Sequence, residues 1–287
     1  IRGGKKMPAK FGPAGNSDSF SAKYKSSADA PLFLKEMGLD CYEYQCGRGV
    51  KVSDKTASAI RANAEKTGIK LTLHAPYFIS LASVDEAKRD NSINYILQTL
   101  KVASEMGGKK IVVHPGSCSK QDREEAFLLA CKTMKKAVKA AYDNGFSDMI
   151  ICPETMGKIN QIGTVDEIIR MCKLDDMLVP TVDFGHVNAR EMGSLKCEDD
   201  YETIIKKMID ELGFEKVRNF HVHFSKIEYT KGGEKRHLTF SDNVYGPEFE
   251  PLARVLKKYD LEPTVICESD GTMAEDAITM KEIYERI

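Results

Sequence analysis

The sequence lacks several features that would place it in a specialised class of protein. Its 287 residues contain no signal-peptide pattern and no apolar run of the roughly 18 residues that a membrane span needs. We therefore expect a cytoplasmic protein that does not contact membranes. The net charge is −1, which argues against nonspecific coating of nucleic acid. The eight cysteines show no CxxC spacing, so we predict reduced, buried thiols and no disulfide scaffold.

A linker rich in proline, glycine or serine is also missing, which favours one domain. The chain instead repeats one unit eight times, a short apolar strand followed by a loop and a helix. The predicted strands begin near residues 10, 40, 70, 110, 149, 179, 217 and 264. We therefore predict an α/β fold, a single (β/α)8 TIM barrel over residues 7–287. Residues 1–6 precede Met7 and are interpreted as an expression scar or a disordered start.

The most informative stretch runs from Val179 to Asn188. A β-branched run ends there in Asp183, and His186 follows three residues later. Burying such groups without partners costs roughly 2–7 kcal/mol each, and a metal ion would offset that cost. An Asp that caps a turn and a solvated His would be the ordinary explanation, but other predicted strands end in the same way. The polar residues at the ends of strands three to eight are His74, His114, Glu154, Asp183, His186, His221, His223 and Glu268.

These residues predict a metal site at the C-terminal mouth of the strands, because TIM barrels build their sites there. Imidazole and carboxylate ligands without thiolate suit zinc, manganese or iron. Three carboxylates allow more than one ion, an arrangement typical of phosphodiester hydrolysis. A single ion with the same carboxylates would instead suit enolisation of a sugar. The residues alone leave this choice open.

Seven short motifs occur in an order and spacing that resemble a known family. They are His74-Ala-Pro-Tyr77, His114-Pro-Gly116, Pro153-Glu154-Thr155, Asp183-Phe-Gly-His186, His221-Val-His-Phe-Ser-Lys226, Arg236-His237 and Glu268-Ser-Asp270. The set resembles the endonuclease IV family of AP endonucleases, in the xylose isomerase-like TIM barrel superfamily. The resemblance implies a metal-dependent hydrolase that cleaves damaged double-stranded DNA 5′ to abasic sites in base excision repair. We expect it to act as a monomer.

The resemblance also implies a ligand set. One zinc would take His74, His114 and Glu154, and a second would take Glu154, Asp183, His221 and Glu268. A third ion would take His186 and His237, while Glu154 and Glu268 would be the catalytic carboxylates. The family has a carboxylate two residues before the last histidine, whereas this chain has Lys235 there with Glu234 beside it. Either Glu234 shifts register to replace it, or the chain holds two ions, or the third ion binds weakly.

The candidate substrate contacts are Arg48, Tyr77, Phe78, His223 and Lys235. The family wedges side chains into the duplex, and Tyr77 and Phe78 stand where two such residues would follow the first histidine. A plain aromatic cover of the rim, a loop-capping arginine and a solvated charge run are the alternatives. Two other functions stay open: a single-metal sugar isomerase or epimerase of the same superfamily, and a metal-binding module that has lost catalysis.

Overall fold

Eight short apolar runs form the parallel strands of a barrel. The computed structural model describes residues 8–287, so the interpretation of residues 1–6 lies outside the described residues. The barrel strands are β1 (Lys10–Pro13), β2 (Cys41–Gln45), β3 (Lys70–His74), β4 (Lys110–Val113), β5 (Ile150–Pro153), β6 (Thr181–Asp183), β7 (His221–Phe224) and β10 (Thr264–Cys267). The strands β8 (Ile227–Thr230) and β9 (Gly233–His237) form an antiparallel hairpin after β7.

Hydrogen bonding closes the strands into a ring. Parallel pairing gives the orders β1-β10-β7-β6 and β2-β3-β4-β5. Single parallel bridges between Ala14 and Glu43 and between Glu154 and Thr181 join the two sets. The predicted TIM barrel is therefore confirmed.

Helices cover the outside of the ring. They are α1 (Asp18–Lys23), α2 (Ala30–Glu36), α3 (Asp54–Thr67), α4 (Glu86–Met106), α5 (Arg123–Asp143), α6 (Val165–Cys172), α7 (Phe184–Arg190), α8 (Glu198–Leu212), α9 (Phe214–Arg218), α10 (Phe249–Lys258) and α11 (Met273–Arg286). In α3 the Ser53 hydroxyl accepts the N–H of Thr56, and Gly68 ends the helix with φ 78°. Within residues 8–287, no helix is long and apolar enough to cross a membrane.

Two elements differ from the sequence expectation. The predicted seventh strand begins at Val217, but α9 occupies this position and buries Val217 on its apolar face, so β7 begins at His221. Residues 184–190, which directly follow the sixth strand, form the helix α7, which the strand-and-helix pattern does not predict; the Asp183 carboxylate accepts the backbone N–H of His186 at 2.8 Å and caps this helix. Both differences affect residues of the candidate site.

Glu167 joins α5 to α6 beneath the loop that follows β5. Its carboxylate accepts the N–H groups of Gly163 and Thr164 at 2.8 and 2.9 Å and pairs with Arg123 at 2.7 Å. Burial acts to raise the pKa of Glu167, but Arg123 and the two amides outweigh it and lower the pKa. Stability from this carboxylate is therefore present above about pH 4, where an unfolded Glu ionises, and is lost as pH falls through the lowered folded-state pKa.

We expect Glu167→Gln to lower the free energy of unfolding by about 2 kcal/mol at neutral pH, because charged hydrogen bonds are lost. Urea denaturation of both proteins should show this difference shrinking as the pH falls below about 4. Glu124→Gln is the matched control, since Glu124 pairs with Arg170 on the surface and should have the smaller effect. A difference that stays constant from neutral to acid pH would contradict the role of the charge.

Candidate metal centre

The ends of the barrel strands bring all six histidines of the chain to one mouth. His74 ends β3, His221 and His223 lie on β7, and His237 ends the hairpin strand β9. The others follow β4 and begin α7. Between them stand buried or half-buried carboxylates from four of the barrel strands or the residues after them: Glu43, Glu154, Asp183 and Glu268.

Glu154 lies at the middle of this arrangement and is fully buried. Its Oε2 atom is 3.1 Å from His74 Nε2 and 3.0 Å from His114 Nε2. Its Oε1 atom is 2.9 Å from His223 Nδ1. Each oxygen of one carboxylate therefore faces a different set of imidazoles, and two candidate ligand groups share Glu154.

The second group consists of Glu154, Asp183, His223 and Glu268, whose ligand atoms lie within 4.8 Å of one another. His223 Nδ1 is 3.4 Å from Glu268 Oε1. Asp183 is fully buried, and while one of its oxygens caps α7, Oδ2 has no hydrogen-bond partner among residues 8–287. His186 Nδ1 lies 3.3 Å from this oxygen. A buried carboxylate oxygen without a hydrogen bond is costly unless a cation, a metal ion or an imidazolium, lies beside it.

The structure corrects the histidine of the second group. The sequence expectation combined His221 with Glu154, Asp183 and Glu268, but His221 is not brought to them. In the ladder between β6 and β7, Asp183 lies opposite His223, whereas His221 lies opposite Thr181, one layer deeper in the barrel. Both histidines point inward, so alternation along the strand could not separate them.

A third group forms between α7 and the hairpin. His186 Nε2 is 3.4 Å from Glu234 Oε2, and His237 Nε2 is 4.0 Å from Glu234 Oε1. The N–H of Glu234 is hydrogen-bonded to the Gly157 carbonyl at 3.0 Å. A Cβ on Gly157 would lie 2.6 Å from the Glu234 Cβ and 2.9 Å from His186 Cδ2, so only glycine permits this close approach.

Lys235 is the extra residue of a β-bulge in this hairpin. Its neighbours Glu234 and Arg236 pair with two consecutive residues of β8, so Lys235 has no partner across the ladder. An extra residue shifts the alternation of side chains, which puts Glu234 on the face of His237 although they are three residues apart. Lys235 and Arg236 both pair with Glu228, at 2.5 and 2.6 Å. Of the alternatives that the sequence left open, this geometry supports the register shift of Glu234.

Glu234→Gln should weaken the binding of one zinc ion at least about tenfold, because a neutral amide replaces the only carboxylate of the third group. The zinc content after equilibrium dialysis at stepped free zinc concentrations would measure this effect. Lys235→Gln is the matched control on the same strand and should leave the zinc content unchanged. Equal zinc content in all three proteins would contradict the assignment of Glu234.

The pKa values show that the cluster attracts positive charge. Burial raises the pKa of Glu268 to about 8, with repulsion from Glu154 and Asp183 added to it, while His223 opposes the shift. Burial lowers the pKa of His74, but the carboxylate of Glu154 outweighs it and raises the value to about 9. Three carboxylates this close therefore need cations beside them, whether imidazolium groups or metal ions.

Backbone carbonyls also orient two of the imidazole rings through their Nδ1 atoms. Nδ1 of His74 lies 2.8 Å from the Ala75 carbonyl, and Nδ1 of His186 lies 2.9 Å from the Thr155 carbonyl. These contacts leave Nε2 of each ring facing a carboxylate, as is usual for metal-binding histidines. None of the groups formed by residues 8–287 includes a cysteine. A donor set of nitrogen and oxygen fits zinc, manganese or iron.

A cleft of about 470 Å³ opens beside Glu268 and His237 and is also lined by Gln45, Arg236 and Asp270. Tyr77 and Phe78 are 64% and 43% exposed, and Arg48 is exposed in the loop after β2.

The structure brings His74, His114 and Glu154 together as expected, replaces His221 by His223, and adds Glu234 to His186 and His237. It turns Lys235 towards Glu228, so contact of Lys235 with substrate stays a prediction, as do those of Arg48, Tyr77 and Phe78. Glu43 on β2 is a further buried carboxylate of the mouth, and its inward alternation along the strand is the signal for it in the sequence.

Known proteins share this barrel. The model of the family described as xylose isomerase-like TIM barrel matches residues 32–283. The chain belongs to this family. This xylose isomerase-like barrel is 31% identical over 280 residues to an uncharacterized protein of Methanocaldococcus jannaschii. The match covers 96% of the chain and 97% of that protein. The barrel is 30% identical over 200 residues to a probable endonuclease 4 of Mycoplasma pneumoniae, covering 68% of the chain and 65% of that protein.

Solved structures with the same barrel include enzymes of two kinds. Endonuclease IV from Thermus thermophilus has a TM-score of 0.67 at 19% identity and covers 91% of this chain and 94% of its own. A D-psicose 3-epimerase has a TM-score of 0.63 at 16% identity and covers 91% of both chains. At these identities the likeness concerns the fold. The endonuclease relatives confirm the family resemblance found in the sequence, while the choice between the two kinds of enzyme depends on the site.

Proposed function

We propose that this xylose isomerase-like barrel is a metal-dependent phosphodiesterase of the endonuclease IV type, which cleaves damaged double-stranded DNA 5′ to abasic sites in base excision repair. The observation that carries the proposal is the sharing of Glu154. One of its oxygens faces His74 and His114 and the other faces His223. A bridging carboxylate between two ligand groups suits a multinuclear site, which a single-metal enzyme does not need.

Zinc is the proposed metal, with manganese or iron as alternatives. Two ions would be held by the groups that share Glu154, and a third by His186, Glu234 and His237. Such ions lower the pKa of water and stabilise charge on phosphate oxygens. Glu154 and Glu268 are the proposed catalytic carboxylates, Glu154 as the bridge and Glu268 as the group that faces the open cleft.

DNA contact is proposed for the rim and not for the whole surface. Tyr77 and Phe78 expose aromatic rings beside the mouth, where they suit insertion next to a flipped nucleotide. Arg48 stands on a neighbouring loop and suits a phosphate. The net charge of −1 is consistent with local phosphate contacts without general affinity for nucleic acid. A monomer in the cytoplasm suits this role, and the eight cysteines are free as a reducing compartment requires.

A second candidate is a single-metal sugar epimerase. The four residues Glu154, Asp183, His223 and Glu268 are complete as a group by themselves and would suit one ion that polarises a ketose. In that case His74, His114, His186 and His237 would contact the substrate or support the fold. The grouping of all six histidines with carboxylates favours the phosphodiesterase.

Incision of a duplex oligonucleotide with one abasic analogue tests the proposal. The protein would be prepared with zinc or manganese and compared with chelated protein and with an undamaged duplex as control. We expect metal-dependent cleavage 5′ to the abasic position only. No cleavage by protein with demonstrated bound metal, together with turnover of a ketose in the same preparation, would reject the phosphodiesterase in favour of the epimerase.

A further inference from the structure

A fully buried carboxylate lies beneath the candidate metal centre and belongs to none of the ligands proposed above. Glu43 on β2 is 0% exposed. Its Oε2 atom lies 2.8 Å from His221 Nε2 and accepts the Thr72 hydroxyl at 3.0 Å. Its Oε1 atom lies 3.0 Å from His223 Nε2 and accepts the side-chain amide of Gln45 at 3.2 Å. These four neighbours are two hydrogen-bond donors and two imidazoles that can donate.

Both ring nitrogens of His223 face a carboxylate. The 3.0 Å contact of His223 Nε2 with Glu43 is oblique, and no other residue from 8 to 287 offers that nitrogen a partner. A metal ion held by Glu154 and Glu268 would take the lone pair of Nδ1, and the single proton of the neutral ring would then lie on Nε2, where Glu43 can accept it. Nδ1 then remains for the centre, and it does face Glu154 and Glu268, at 2.9 and 3.4 Å.

His223 is reversed relative to other histidines of the mouth. His74, His186 and His237 each use Nδ1 for a carbonyl or hydroxyl oxygen outside the centre. A backbone carbonyl orients His74 and His186, whereas a charged side chain orients His223. Replacing Glu43 therefore tests directly whether it orients the His223 ring. A backbone carbonyl cannot be replaced in this way.

We propose that Glu43 is a positioning residue, which holds His223 in the tautomer that presents Nδ1 to the metal. The inference rests on the proposed metal centre. His221 supports this arrangement, because its Nε2–H donates a hydrogen bond to the other oxygen of Glu43. The Nδ1 atom of His221 has no hydrogen-bond partner among residues 8–287. Carboxylates that orient a ligating histidine in this way typically contribute about 10–100-fold to metal affinity.

Glu43→Gln keeps the shape of the side chain but exchanges one accepting oxygen for an NH2 group. One of the two imidazoles must then accept a hydrogen bond, and for His223 this means a proton on Nδ1. We expect zinc affinity, measured by competition with a chromophoric chelator, to fall about 10–100-fold. Thr72→Val is the matched control, because it removes a donor to Glu43 without altering the imidazole and should leave zinc affinity unchanged.

A nitrogen NMR spectrum of the zinc-loaded parent protein tests the tautomer without any variant. With six histidines in the chain, ¹⁵N-histidine labelling gives few signals. His223→Gln would assign the His223 pair, and we expect a protonated Nε2 and a zinc-bound Nδ1. Zinc bound through Nε2, or unchanged zinc affinity in Glu43→Gln, would overturn the role of Glu43. A parent protein that binds no zinc or other divalent ion would instead reject the proposed centre itself.

Discussion

Glu154→Gln should reduce metal-dependent incision of an abasic duplex by about a thousandfold or more, which corresponds to roughly 4 kcal/mol of transition-state stabilisation. Glu154 is fully buried, and its two oxygens face His74 and His114 on one side and His223 on the other. A neutral amide has only one oxygen and cannot bridge two ligand groups.

Single-turnover incision at saturating metal measures this effect without a contribution from product release. Glu65→Gln is the control, since Glu65 is an exposed residue paired with Arg61 on the surface of α3. Full activity of Glu154→Gln would contradict both enzyme candidates, because the epimerase also needs this carboxylate as a ligand or base.

The second large effect separates the two histidines of β7. His223→Gln should weaken zinc binding by at least about a hundredfold, more than the loss of an orienting group costs, because a direct ligand is removed. His221→Gln should change zinc affinity by less than about tenfold, because His221 lies one layer deeper and contacts Glu43 and not the three carboxylates of the centre.

Both variants carry the same amide on the same strand, so each controls for the other. Chelator competition gives the zinc affinities, and thermal unfolding of the metal-free proteins shows whether either change acts through folding. Loss of zinc in His221→Gln with retention in His223→Gln would restore the ligand set expected from the sequence motifs and would reject the register of β7.

The barrel and most of the site were predictable because they depend on local patterns. Apolar runs, helix caps such as Ser53 and terminal glycines such as Gly68 repeat along the chain. Strand ends in a TIM barrel share one mouth, so His74, Glu154 and Asp183 could be expected together from their positions in the sequence.

What could not be predicted depends on non-local geometry. His221 and His223 have the same alternation, and only the pairing of β7 with β6 shows which of them is level with Asp183. The stagger between barrel strands that sets this level is a property of the closed ring. Glu43 contacts a histidine 178 residues away, which no local pattern reports.

The hairpin after β7 illustrates the same limit. Lys235 occupies the position of the expected carboxylate, and simple counting along the strand excludes Glu234. A one-residue bulge reverses that conclusion by turning Glu234 towards His186 and His237. A bulge depends on the partner strand and on contacts such as that of Gly157 with Glu234. The sequence alone therefore shows that a glutamate is near, but not that it faces the two histidines.

The number of metal ions per chain tests the central claim most directly, because a multinuclear centre is what separates the phosphodiesterase from the epimerase. Native mass spectrometry of the protein titrated with zinc would count them. We predict at least two tightly bound ions, with a third that is lost in Glu234→Gln but kept in Lys235→Gln. Saturation at a single ion per chain would contradict the shared role of Glu154 and with it the proposed function.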